Sequence, residues 1–293
     1  MSNAVSAGTN KPDARRGFQS AAAEKRQLFH FHVPKTGGRT IIKSFQRKHG
    51  SENVIVPRKK KTLLADIFYE RKYHPPLSEP EQQLDDVHIC GHFASLSCIA
   101  GREDQFHKAC FWRHPADWYL SYYNWRHVQD KQRQKRSYKF SDFTKSFARN
   151  PMTQEFLLYC ADMPGWKYFL LSDRGKFEAA LRVVRRFDLF ADIAQVDAYL
   201  ISIGIAEEGK IEYVHRYSKT VKVLGSLDEN VRRRFQRQNP VDFYLHRIAL
   251  GRDVAQVVAD ARANLRTTFS FGAMMRLLMR PYYRLKIKVL PFI

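Results

Sequence analysis

Two cations and two glycines within the five residues Lys35–Arg39 carry the first chemical signal in this chain. Lys35, Thr36, Gly37, Gly38, Arg39 and Thr40 follow directly on Pro34. Glycines let backbone N–H groups come close to an anion. A helix starting there adds unsatisfied donors and the positive end of its dipole. The stretch has the parts of a phosphate cradle. It also has those of an ordinary strand-to-helix turn with a basic neighbour.

Other residues could complete such a site. Arg113 is followed eight residues later by Ser121. An arginine fork matches phosphate oxygens, and a serine hydroxyl can donate beside it. A salt bridge or a helix cap would explain Arg113 alone. His92, just after Gly91, could take a proton from a substrate hydroxyl, or fill a core position. His88 shares the parity of Cys90 and reads as a satisfied core histidine. Late in the chain, Arg216, Ser218 and Lys219 form either an adenine or phosphate loop or a basic surface turn.

These residues need elements to hold them. The alternation of Leu28, Phe29, Phe31 and Val33 predicts a strand over 27–33, and helical spacing follows over 38–49. Further strands are expected at 53–56, 86–90, 108–112 and 188–191, with a short one near 211–214. Helices are expected at 62–69, 115–127, 140–148, 152–160, 175–187, 195–203, 227–237, 241–249 and 252–265. Pro115 suits a first helical turn. Basic stretches at 57–61 and 129–139 and a proline-rich stretch at 73–81 read as loops. Strands alternating with helices predict an α/β fold: a central, mainly parallel sheet flanked by helices. Ligands of such sheets bind at the carboxyl ends of the strands, where His92 and Arg113 are expected.

The chain has 293 residues, 44% hydrophobic and 13% aromatic, enough for one large domain. Its net charge of +21 points to polyanionic partners: nucleotides, nucleic acid, acidic glycans or an anionic membrane. Cys90, Cys98, Cys110 and Cys160 form no CxxC pair, which argues against zinc and thioredoxin-like sites and for reduced core thiols. No apolar run is long enough for a spanning helix, and no signal peptide is expected, so a cytoplasmic location is. Residues 1–26 read as a disordered leader, 27–250 as the main domain, and 251–293 as a C-terminal helix with a basic amphipathic tail. That tail either lies on an anionic membrane or packs on the body.

Taken in order, HVPKTGGRT, GHF and RHPADWYLSYY resemble the carbohydrate sulfotransferases that use 3′-phosphoadenosine 5′-phosphosulfate, heparan sulfate 2-O-sulfotransferase and its relatives among them. NPMTQEFLL, FDLFADIAQVDAYL and LDENVRRRFQRQNPVDFYLH are weaker echoes, so the likeness covers roughly 27–250. The resemblance implies a P-loop-like three-layer fold and sulfuryl transfer to a hydroxyl, that of a glycan first. It makes Lys35 to Thr40 the 5′-phosphosulfate loop, with Lys35 catalytic. Arg113 and Ser121 become the 3′-phosphate site, His92 the base, and Arg216, Ser218 and Lys219 part of the donor site. No metal is implied.

The chain departs from the family pattern in places. Arg39 stands where many relatives carry a small hydroxyl residue, His114 where an acid or asparagine is common, and Ala194 where an acid is usual. Two other function classes compete. A P-loop kinase would need GxxxxGK[ST], which is absent. A basic nucleic-acid-binding protein would use the charge and aromatics such as Trp112, Trp118 and Trp125. No zinc-finger, RRM or helix-turn-helix signature supports it, and no nucleic-acid partner is expected.

Overall fold

The computed structural model describes residues 27–57, 87–132, 140–145, 149–211 and 227–268. Five strands form one parallel sheet: β1 (Gln27–Phe31), β2 (Val54–Ile55), β3 (His88–Gly91), β4 (Phe106–Trp112) and β5 (Leu189–Asp192). The spatial order is β2-β3-β1-β4-β5. The chain leaves β1 toward β2, then crosses from β3 over β1 to β4. Connections from β1 and β4 therefore run in opposite directions, which opens a crevice between their carboxyl ends. The expected three-layer α/β fold is present.

The helices are α1 (Gly38–His49), α2 (Pro115–Gln132), α3 (Phe140–Lys145), α4 (Pro151–Glu155), α5 (Gly165–Leu170), α6 (Asp173–Val184), α7 (Val196–Ser202), α8 (Glu229–Gln238), α9 (Pro240–Ala249) and α10 (Val254–Asn264). Strand alternation sorts the core into two layers. Leu28, Cys90, Ala109 and Phe111 meet Ile41 and Phe45 of α1 and Tyr199 and Leu200 of α7. Phe29, Phe31, Ile89, Cys110 and Trp112 face the opposite way, toward residues of α2, α6, α9 and α10. Val257 and Ala261 of α10, with Leu265 just after it, are buried in this second layer.

Several boundaries differ from the sequence reading for local reasons. β4 begins at Phe106 because His107 and Lys108 are buried despite their polarity. The Lys108 ammonium donates to the Glu103 carbonyl at 2.9 Å and lies 3.5 Å from Asp188. α2 runs on to Gln132, since no glycine or proline interrupts its polar end. The expected helix 152–160 becomes α4 followed by a π-turn, Phe156–Cys160. α5 and the 3-10 turns Leu96–Ile99 and Glu103–Gln105 were not expected. Ile211 is not in a strand. The expected helix 62–69, the loop 73–81, most of the basic stretches 57–61 and 129–139, residues 212–214 and the tail beyond 268 lie outside the described residues. Among the described residues, no helix is long and apolar enough to cross a membrane.

A buried polar hub ties α4 to α9. Asp242 is fully buried and accepts from the Met152 and Thr153 N–H groups and from the Thr153 hydroxyl, at 3.2, 2.7 and 2.5 Å. It caps the amino end of α4. Asn150, left-handed at φ 55, accepts from Val241 N–H through its side chain at 3.0 Å. Trp112 at the end of β4 donates to the Asp242 carbonyl at 3.1 Å. Burial pushes the Asp242 carboxyl up to about 7 against those donors.

Candidate functional site

β1 ends in His32, Val33 and Pro34, and the chain turns sharply before α1. Thr36 is buried, and its hydroxyl donates to the Val33 carbonyl at 2.8 Å, bracing the turn from inside. Lys35 at φ 68 and Gly37 at φ 84 adopt left-handed conformations. Such backbone costs a non-glycine residue roughly 1–2 kcal/mol, and strain of this kind clusters at functional sites. Two contacts from outside the turn hold it. Trp118 of α2 donates its indole N–H to the Pro34 carbonyl at 2.7 Å. Arg113, just past β4, donates to the Lys35 carbonyl at 3.1 Å. The loop is thus fastened across the crevice between β1 and β4.

Gly38 opens α1 because nothing larger fits. A Cβ there would stand 1.9 Å from Cγ of the His32 imidazole. His32 is buried and stacks on His92 at 4.0 Å between ring centroids, 29° apart. The loop glycine, His32 and His92 therefore form one packed column. The main chain contributes as well: His92 Nδ1 donates to the His32 carbonyl at 2.6 Å. With Nδ1 protonated, Nε2 is the basic nitrogen of His92.

The electrostatics of the cluster follow from burial and crowded cations. Burial, then Arg113 and Arg39, pull Lys35 down to about 8. Burial lowers His92 as well; the His32 carbonyl opposes this, and Arg39 and Lys35 reinforce it. His92 is therefore neutral at neutral pH. Burial, then His92 and His30 and after them Lys35 and Arg39, holds His32 well below its ordinary value. Burial also lowers Arg113, against the pull of Asp117 and Asp192. Those two carboxylates are committed elsewhere. Asp117 receives Arg232 of α8 at 2.5 and 3.0 Å, and Asp192 lies 2.9 Å from His246 Nε2 of α9.

The structure gathers Lys35, Gly37, Gly38, His92 and Arg113 around one crevice. Arg39 lies exposed on the first turn of α1, and Thr40 is buried beside it. Ser121 is half-buried on α2, two turns beyond Arg113. Arg216, Ser218 and Lys219 lie outside the described residues. His88 is a core residue, accepting the Leu28 N–H at 3.0 Å. His114 explains itself: its Nδ1 accepts the Ala116 N–H at 3.2 Å, capping α2 as an acid or asparagine would. Trp112 and Trp118 are buried, so neither offers a face to a nucleic-acid base.

Sequence reasoning missed the partners of these residues. His32 was hidden in the strand, although it shares parity with His30 and directly precedes the turn. Trp118, Tyr122 and Trp125 fall at i, i+4 and i+7 on α2, a spacing that could have revealed one aromatic face turned to the loop. Comparisons with protein-family models, curated proteins and solved structures find no match for this chain.

Proposed function

We propose that the protein is a sulfotransferase that moves the sulfuryl group of 3′-phosphoadenosine 5′-phosphosulfate to a hydroxyl, that of a glycan in the first instance. The observation that carries this reading is the meeting of Lys35, His92 and Arg113 at the carboxyl ends of β1, β3 and β4, with His92 neutral and its Nε2 basic. A strained loop with two glycines and a helix start suits the 5′-phosphate. Arg113, with Ser121 on the helix that follows, suits the 3′-phosphate.

In the proposed reaction the acceptor oxygen attacks sulfur in line as the bond from sulfur to the phosphate oxygen breaks. His92 Nε2 takes the acceptor proton. Lys35 meets the negative charge that grows on the departing phosphate. Sulfuryl transfer shares the logic of phosphoryl transfer, in which positioning and charge stabilisation do most of the catalysis.

The test is a titration with adenosine 3′,5′-bisphosphate, read as the thermal midpoint of the protein. A product that binds the native state raises the midpoint through linkage, by about 2.7 kcal/mol of stability at a hundredfold excess over Kd. No shift at millimolar ligand removes the reading. A shift with ATP and magnesium but none with the 3′-phosphorylated ligand favours a kinase instead.

A further inference from the structure

Lys35 is held at its backbone by Arg113, and its side chain is held by something else. Its ammonium stands over the indole of Trp125, 5.6 Å from the ring centroid. Trp125 lies on α2, half-buried, with its ring edge-on to Tyr122 at 5.4 Å and 79°. Tyr122 packs in turn on Trp118 at 5.1 Å. One face of α2 thus does two jobs. Trp118 fastens the loop backbone through Pro34, and about two helical turns later Trp125 presents its ring to the loop's cation.

Burial and two neighbouring cations work against the charge of Lys35. Arg113 approaches from the end of β4 and Arg39 from α1, while His92 from the end of β3 and His32 from the end of β1 are neutral rings. An aromatic face attracts a cation through its quadrupole, and more strongly where water is excluded. It carries no charge, so it does not compete with an incoming phosphate. An aspartate in its place would.

We propose that Trp125 is a positioning residue that keeps the Lys35 side chain charged and poised over the anion loop. The inference deepens the sulfotransferase reading and rests on it for the role of Lys35, but the contact itself is testable without any ligand. A leucine keeps an apolar contact for Tyr122 but has no ring quadrupole to hold a cation. That difference separates positioning from packing.

The experiment is competitive acetylation of lysines in the full-length protein across pH, with Lys35 followed by mass spectrometry. Wild type, Trp125→Leu and Trp125→Phe are compared, each also titrated with adenosine 3′,5′-bisphosphate at neutral pH. The wild-type Lys35 midpoint is expected near the value of about 8 set by its surroundings. In Trp125→Leu it falls by about half a unit to one unit, and bisphosphate affinity drops about threefold to tenfold. Trp125→Phe restores most of both, since phenyl keeps the quadrupole. A Leu variant that is folded and keeps the wild-type Lys35 midpoint overturns the inference. A Lys35 midpoint that shifts between wild type and Trp125→Leu, in a protein whose wild type binds no bisphosphate, upholds the contact and removes the donor reading instead.

Discussion

Replacing Gly38 with alanine tests the column that joins the loop to His92. The added methyl would stand 1.9 Å from the His32 ring, where ordinary contact begins at 3.4 Å. The ring must retreat by about 1.5 Å, and it has little room: His32 is 4% exposed and stacked on His92. Overpacking of this kind costs roughly 1–3 kcal/mol. The displacement passes to His92 through both the ring stack and the His32 carbonyl. A misplacement of about 1 Å in a catalytic group lowers turnover about 100-fold. Gly37 is the control. It has φ 84, but its Cβ would meet only Val196 and Ile193 at 3.5 Å or more. Gly37→Ala should therefore cost about 1–2 kcal/mol through backbone strain alone. The assays are chemical denaturation and steady-state sulfuryl transfer. Combining Gly38→Ala with His32→Ala should recover part of the lost stability, because the second change makes the space the first one needs. Wild-type stability and turnover in Gly38→Ala would refute the column. So would simple additivity in the double variant.

Three other perturbations address separate parts of the structure. If His92 is the base of the proposed transfer, His92→Ala should abolish it and leave the affinity for adenosine 3′,5′-bisphosphate within about twofold, because a base of that kind acts on the acceptor; calorimetry and a turnover assay decide it. Asp242 is protonated in the native state up to about 7, whereas an unfolded aspartate releases its proton near 4. The native state thus holds a proton that the unfolded state has lost, and this group makes stability fall as pH rises through that window. Asp242→Asn should flatten that slope in thermal melts and cost roughly 1–3 kcal/mol, since an amide N–H2 faces donors; an unchanged slope rejects the assignment. His114→Leu should cost about 1 kcal/mol by uncapping α2, and His114→Asn should retain most of it; equal losses in the two variants would show that the cap contributes nothing.

Much of the fold and part of the site were legible before any coordinates. The strand at 27–33, the helix at 38–49 and the strand–helix pair around Arg113 follow from local patterning, and the structure keeps all of them within a few residues. Parity placed His88 in the core, and the strand ends placed His92 and Arg113. These are local facts. Side-chain alternation and glycine conformational freedom act over a handful of residues, so the chain writes them in order.

What tertiary structure alone decided is which side chains meet. The order β2-β3-β1-β4-β5 brings residues 35, 92 and 113 to one crevice, and nothing local encodes that crossing. The ring of His92 on that of His32, the indole of Trp118 on Pro34 and that of Trp125 beneath Lys35 join segments separated by dozens of residues. So does the reach of Asp242 back to the start of α4. The charge state of the site was equally beyond the sequence. Lys35 is an ordinary lysine in the chain. Only burial beside Arg113 and Arg39 brings it down to about 8, because desolvation and repulsion depend on neighbours that folding supplies.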